Sequence, residues 1–426
     1  MMRIFYSDYG GDVARIAKIE RLVTELMAGG ATVMRTGGKG LQSAAAVLPL
    51  PGFARRSKVS AEIRLDAKEI GQDPVVALAA AIFRHDSPNR SAADAYASML
   101  AYQAFIAAEL DRFAPDLVIA WHQFSAYHSL LEDWCRTRSV PIIYAEHGVL
   151  PGSWCFEFRG QMAESWIAQA PEAFAALPLD EADREAAERY LDHARRERLN
   201  RKTDTLSLEE ANLGGLLQAE KRPKILYAGN NDYKTGLQPF SPHRSLRHGG
   251  DFLSTESGLL ALLRIARRRN LLVLYKPHPS LGDGADVPAE FRRQVLLVDR
   301  RVNLVDLLPH VQALATIVSQ SAYMAAMHGI PVVLMGRMQL SGTGIVEEAP
   351  FRRDLDAAVG RALANANPEE RRRLFRDHVA RLLRYYLIAD SHDALGLFRY
   401  DLGTLAQALL AMDPGALRQG LAAAPA

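Results

Sequence analysis

Apolar positions along the chain follow two rhythms. Short, mainly apolar runs, at residues 2–6, 32–35, 117–121, 140–144, 224–229, 271–275, 313–318 and 331–335, are of strand length and do not alternate regularly with polar residues. That is the pattern of strands buried on both faces. Between them the spacing turns helical. Val13, Ile16, Ile19, Leu22, Val23 and Leu26 share one helical stripe that Gly29-Gly30 stops, and helices are expected over 91–113, 126–138, 255–269, 322–328, 354–364 and 369–387. Strands alternating with helices imply parallel sheets covered on both faces, an α/β fold.

Between the two α/β stretches, residues 171–220 change to a charged mixture of Ala, Glu, Arg and Leu, which reads as one or two linking helices. The expected organisation is an N-terminal α/β domain over 1–170, a helical linker over 171–220, a second α/β domain over 221–390, and terminal helices with a tail over 391–426. The Ala-rich residues 421–426 should fray. Residues 49–90 read as irregular. Gly37-Gly38-Lys39-Gly40 lacks the GK[ST] ending and a helix directly behind it, so it reads as a mobile loop rather than a phosphate loop.

The chemistry gathers where strands end. The run at 271–275 emerges into Lys276-Pro277-His278-Pro279, and each proline fixes its own φ while pushing the residue before it towards extended geometry. Lys276 and His278 are therefore presented rigidly beyond a strand's carboxyl end, where open α/β sheets bind ligands. The strand at 313–318 runs into Ser319-Gln320-Ser321 at the start of a short helix, a natural seat for phosphate. Ser341-Gly342-Thr343-Gly344 then precedes Glu347 and Glu348. Together these pieces suggest a nucleotide-type site in the second domain.

Other strand ends carry further candidates. Trp121-His122-Gln123 follows one strand, and Glu146-His147-Gly148 follows another. Glu146 in such a place suits a general base, or equally a cap or an arginine partner. Asn230, Asn231 and Asp232 end the strand at 224–229, with Gln238 further along the loop. They suit a polyhydroxylated ligand, or a turn held by Asx side chains. His243, Arg244, Arg247 and His248 read as part of a Gly-containing loop before the helix at 255–269.

Composition narrows the class. At 426 residues, 49% hydrophobic and 23% charged, the chain fits two or three soluble domains. A net charge of +2 argues against a dedicated nucleic-acid binder. Arg195-Arg196 and Arg267-Arg268-Arg269 read first as solvated helix faces and second as contacts for acidic lipid headgroups. Cys135 and Cys155 have neither metal-ligand nor CxxC spacing, which suits a reducing compartment, and the cytoplasm is inferred. No apolar run is long enough for a signal peptide or a membrane span. His122, His128 and His147 show no metal-binding spacing, so no metal is expected.

The segments KPHP, SQSAYMAAMHGIPVVLMG and SGTGI, and upstream YAEHGVLPGSW and RGQMAESW, resemble the bacterial capsule polysaccharide synthesis proteins over about residues 118–348, most densely in the second half. That family includes the β-Kdo transferases that build the linker on the lipid terminus of capsules. The resemblance implies two Rossmann-like domains facing across a cleft, a GT-B-like glycosyltransferase, with CMP-Kdo as the first-choice donor and no tightly bound cofactor. It implies that His278 contacts the phosphate of the leaving nucleotide, that Lys276 adds charge beside it, and that Ser319, Gln320 and Ser321 bind it from the helix start. Retaining transfer implies a carboxylate nucleophile, for which Asp232 and Glu146 are the candidates, with Glu146 on the acceptor side as a base. Glu347 would hold a ribose hydroxyl, or else be a solvated helix start. His147, Asn230, Asn231 and Gln238 complete the sugar and acceptor contacts.

The partners so implied are a nucleotide sugar, a lipid-linked or glycan acceptor, and a peripheral contact with the inner membrane and capsule-assembly proteins. Nucleic acid is not among them. Two alternatives stand beside this. One is a polyol-phosphate transferase of the teichoic-acid type with a CDP-linked donor, against which the segment before Ser319 lacks the expected aspartate-tyrosine-serine pattern. The other is an inert scaffold that binds a sugar nucleotide.

Overall fold

The computed structural model describes residues 1–38, 41–55, 73–200, 206–280, 287–391, 393 and 395–413. Lys39 and Gly40 of the first glycine loop and the tail at 421–426 lie outside them. The described chain forms two compact units. Unit 1 holds Met1–Gly148, Ser153–Gln161 and Leu387–Ala426, and unit 2 holds Val149–Gly152 and Met162–Tyr386. The strands, in chain order, are β1 (Arg3–Ser7), β2 (Thr32–Gly37), β3 (Ala46–Pro49), β4 (Leu117–Trp121), β5 (Ile142–His147), β6 (Ser153–Glu157), β7 (Lys224–Ala228), β8 (Leu272–Lys276), β9 (Val295–Leu297), β10 (Ala313–Thr316), β11 (Val332–Leu334), β12 (Glu347–Glu348) and β13 (Ile388–Ala389).

Each unit is built on one sheet, and the two sheets share a winding. In unit 1 the order is β13-β6-β5-β4-β1-β2-β3, and in unit 2 it is β12-β11-β10-β7-β8-β9. Counted from the first strand of each unit, both contain the doubly wound order 3-2-1-4-5. All neighbours in unit 2 pair in parallel. The order reverses between β1 and β4 in unit 1, and between β7 and β10 in unit 2. Those two reversals are where such sheets open a crevice at their carboxyl edge.

Burial explains the apolar runs. Every residue of β4, β7, β8 and β10 is buried. In unit 1 the helix Val13–Ala28 lays Ile19, Leu22, Val23 and Leu26 against Ile4 and Tyr6 of β1 and Leu117 and Ile119 of β4. The helix Leu402–Leu410 brings Leu402, Leu405 and Leu409 to the same core. In unit 2 the helix Thr255–Arg269 buries Leu259, Leu262, Leu263 and Ala266. At 25 cal/mol per Å², each fully buried Leu or Ile contributes about 2 kcal/mol before entropy is counted.

The structure departs from the sequence expectation in several places. β6 and β13 add two antiparallel strands at one edge of unit 1. The connection from β5 to β6, residues 148–152, is too short for a parallel crossover, so a hairpin is the only closure. Glycine suits position 148, because a Cβ there would come within 2.0 Å of Ser153 Oγ and crowd Leu387. Residues 387–413 return to unit 1 instead of forming a separate terminal piece. The irregular stretch contains a helix, Pro74–Asp86, whose signal was present: Asp73 accepts from Val75 and Val76 N–H, and Pro74 opens the first turn. Among the described residues the linker holds one long helix, Glu181–Arg196, between two short ones, Pro171–Ala175 and Gly214–Ala219.

Candidate functional site

In unit 2, three neighbouring strands deliver the polar residues. β7 sits between β8 and β10, so the segments after residues 228, 276 and 316 leave the sheet side by side. Asn230 is buried to 1% at the reversal. Its N–H donates to Thr255 Oγ1 at 3.0 Å, and its Oδ1 accepts from Thr316 Oγ1 at 3.3 Å. Its Nδ2 is buried with no hydrogen-bond partner among the described residues. A buried amide left without an acceptor costs about 1–3 kcal/mol, so this NH2 group is set to meet a water or a ligand.

His278 is half-buried, and its ring is fixed from behind. Ser280 N–H donates to Nδ1 at 3.2 Å, and Ser280 Oγ lies 2.8 Å from the same atom. Asn231 Nδ2 donates to Ser280 Oγ at 3.0 Å, while Asn231 Oδ1 accepts from Lys234 N–H. Ser280 was absent from the sequence reading, although its place two residues after His278 is a turn-forming position that marks it. Lys276 is buried to 5%, and its ammonium donates to the Arg300 carbonyl at 2.7 Å.

Asp232 braces the first residue of a helix whose own N-cap is Ser254. Its two oxygens accept from Thr255 N–H at 2.9 and 3.1 Å, and Oδ1 accepts from Thr255 Oγ1 at 2.7 Å, at the start of the helix Thr255–Arg269. Gln238 Nε2 donates to the Leu253 carbonyl. Ser319, Gln320 and Ser321 are half-buried, and the Ser319 hydroxyl lies 3.0 Å from that of Ser321 and accepts the Ser321 N–H. The helix they precede, Ser321–Met327, is a single short one of seven residues. Glu347 is not a solvated helix start. It lies on the edge strand β12 and pairs with Arg361 at 2.7 Å and Arg371 at 3.5 Å.

A buried ionic cluster in unit 2 was missed in the sequence. Glu164, inside the RGQMAESW segment, takes Arg244 Nε at 3.0 Å and lies 3.4 Å from His248 Nε2. Burial alone would raise its pKa, but His248 and Arg244 hold it down to about 2. His248 Nδ1 donates to the Thr235 carbonyl at 2.9 Å. Arg244 and His248 lie on a helix, Pro242–Gly249, and not on the loop expected for them. The proline after Ser241 signals that first turn.

Unit 1 arranges its strand ends differently. His122 follows β4 with φ +68°, a left-handed backbone that non-glycine residues seldom adopt. It is held by long-range contacts. His122 N–H donates to the Ala145 carbonyl, and His128 Nδ1–H donates to the His122 carbonyl at 2.6 Å. The Ser7 hydroxyl at the end of β1 then meets His128 Nε2 at 3.0 Å. The next residue, Gln123, exchanges amide bonds with Gln161 in both directions.

Glu146, half-buried on β5, lies 3.9 Å from His122 Nδ1. His147 sets its ring edge on Trp121 at 5.1 Å, and Arg15 lies over the same indole. Arg15 also binds Asp8, which is buried to 4% just beyond β1. Glu146 and His147 are the last two residues of β5, at the strand end expected for them, and the strand runs further than residue 144. Backbone strain of this kind concentrates at sites where a fixed side-chain direction matters.

Cys135 and Cys155 are both buried, and burial pushes the Cys135 thiol up. Among the described residues, no group of three His, Cys, Asp or Glu is arranged to hold a metal, and no helix is long and apolar enough to cross a membrane. The basic triplet is engaged locally: Arg268 and Arg269 approach Asp356 at 3.6 and 2.6 Å, and Arg267 lies over Phe291.

The family model described as capsule polysaccharide biosynthesis protein matches residues 219–367, about a third of the chain, so the resemblance is borne out over that segment. None of the curated proteins matches. Among solved structures, the chain is similar to the Thermosulfurimonas dismutans KpsC β-Kdo 2,7-transferase, with 13% identity over 96% of this chain and 98% of that one, at TM-score 0.45. The β-Kdo 2,4-transferase of the same organism's KpsC gives 18% identity over 62% and 78%, at TM-score 0.42. A UDP-forming α,α-trehalose-phosphate synthase from Burkholderia vietnamiensis gives 14% identity over 100% and 98%, at TM-score 0.45. Likenesses this distant do not carry chemistry across, and the doubly wound fold stands on the strand orders themselves.

Proposed function

We propose that the protein is a glycosyltransferase of capsule or related surface polysaccharide synthesis, with unit 2 holding a nucleotide-sugar donor. The observation that supports this most is a coincidence of place. The matched segment, residues 219–367, contains all three adjoining strand ends that bear Asn230, His278 and Ser319. Those residues offer a buried NH2 group, an imidazole and hydroxyls to an anion at the sheet's reversal, as phosphate recognition requires.

In this reading the bond between the anomeric carbon and the donor phosphate breaks, and its electron pair leaves with the phosphate. His278, Asn230, Ser319 and Ser321 donate to the oxygens on which charge grows. Lys276 acts at one remove, by fixing the Arg300 segment beside the loop. The donor is CMP-Kdo and the transfer retains configuration. Asp232 takes the anomeric carbon, and the acceptor hydroxyl then displaces it while giving its proton to water. Before it can react, Asp232 has to loosen its bonds to Thr255. A lipid-linked acceptor brings the work to the cytoplasmic face of the inner membrane, where Arg267, Arg268 and Arg269 supply a basic contact. Co-sedimentation with anionic vesicles checks this, and its absence in the wild type removes that contact.

The test is turnover with CMP-Kdo and a lipid-linked acceptor, followed by CMP release and by the mass of the product. Release of CMP coupled to a Kdo-bearing product is the expected result. Transfer only from a CDP-linked polyol moves the assignment to polyol-phosphate transfer, and tight nucleotide binding without turnover by any donor makes the protein a scaffold.

A further inference from the structure

We infer that Asn231 and Ser280 form a relay that sets the tautomer of His278, so that its ring meets the ligand as an Nε2–H donor of fixed direction and not as a base. This rests on the reading of unit 2 as a nucleotide site and adds to it two positioning residues.

The polarity of the relay follows from groups that can act in only one way. Lys234 N–H can only donate, so the Asn231 atom it meets at 3.2 Å is the oxygen, and the NH2 group faces Ser280. An NH2 group can only donate, so Ser280 Oγ accepts there and turns its own proton towards His278 Nδ1, 2.8 Å away. Ser280 N–H also can only donate, and it meets the same Nδ1 at 3.2 Å. Two donors therefore converge on Nδ1, which must be the bare nitrogen of a neutral ring, and the ring proton sits on Nε2. The parts are stiff. Asn231 is buried to 3% and its carbonyl takes the Thr235 hydroxyl, while Pro277 and Pro279 fix the backbone on both sides of His278.

The consequence is chemical. A histidine with an unfixed tautomer spends part of its time with a lone pair towards a phosphate, which repels it. One held as Nε2–H always presents a proton, as a stabiliser of a leaving phosphate must. The same geometry reassigns Asn231 from sugar contact to positioning, since both ends of its amide are engaged within the loop.

The test reads the ring nitrogens of ligand-free protein by 15N NMR, with the His278 signals identified by their loss in His278→Gln. The expected wild-type pattern is a pyridine-type Nδ1 and a pyrrole-type Nε2. Ser280→Ala and Asn231→Asp should each give mixed tautomers and weaken CMP binding roughly tenfold, the loss of about one good hydrogen bond. Ser280→Thr keeps the hydroxyl and should restore both readouts. Ser280 is exposed, so its substitution leaves the core untouched. A protonated Nδ1 in the wild type, or an unchanged tautomer in Ser280→Ala, overturns the relay. The tautomer is read without ligand, so failure of CMP to bind at all counts against the nucleotide site alone.

Discussion

The two sheets have the same winding, yet they fix their strand ends by opposite means. In unit 2 most of what holds His278 is local, the flanking prolines and Ser280 two residues on, and one partner, Asn231, comes from the adjoining strand end far earlier in the chain. In unit 1 His122 is forced into a left-handed backbone and held mainly by other strands and loops: the Ala145 carbonyl of β5 takes its N–H, Gln161 lies behind its neighbour Gln123, and nearby His128, which bonds its carbonyl, is itself met by Ser7 of β1. A local device can be read in a short motif. A distributed one cannot, because no window of sequence contains it.

Asp232 sharpens the comparison most, because its bracing of the helix start and its proposed chemistry separate. Asp232→Asn keeps a side chain that can accept from Thr255, so the melting temperature should move little, whereas transfer should fall to background if the carboxylate is the nucleophile. Asp232→Ala should in addition cost about 1 kcal/mol of stability in a denaturant titration. Transfer by Asp232→Asn at the wild-type rate would show that Asp232 has a structural role only.

Glu164 gives the largest expected stability effect and asks whether unit 2 also relies on distant partners. Its pKa is depressed from 4.5 to about 2, so its contribution is fully present above pH 4.5 and is lost as pH falls through about 2. Glu164→Gln should cost roughly 3 kcal/mol at pH 7, much of it from leaving Arg244 without its carboxylate. The gap between variant and wild type should narrow as pH falls through that window. A gap that stays constant with pH would remove the ionic account of the cluster.

The smallest effect probes the strain in unit 1. With φ at +68°, His122→Gly should be more stable than His122→Ala by about 1 kcal/mol, since glycine alone adopts that backbone freely. Equal stabilities would mean that the left-handed turn is absent in solution.

Much of the fold was legible. The helix Ala92–Phe113 follows its Ser91 cap, whose hydroxyl accepts from Asp94 N–H, and the strand Leu117–Trp121 is an unbroken apolar run. Both signals lie within a few residues of what they specify. β6 and β13 were not legible, because an edge strand of two to five residues with mixed polarity resembles loop, and β13 pairs with a segment more than 200 positions earlier. The helix Pro242–Gly249 was hidden by its two histidines and terminal glycine, and by its length of eight residues. At the site, His278, Asn230 and Ser319 could be found from strand ends alone. The roles of Asn231 and Lys276 could not, since burial and hydrogen-bond direction decide them.

The account turns on whether unit 2 holds a nucleotide phosphate through His278. The direct measurement is calorimetric titration of CMP, CDP, UDP and GDP into the wild type and into His278→Ala. CMP-selective binding that weakens on the order of a hundredfold in the variant is the predicted result, as expected for loss of a preorganised donor to a charged oxygen. Binding of CMP with equal affinity by both proteins, or of no nucleotide by the wild type, would contradict it.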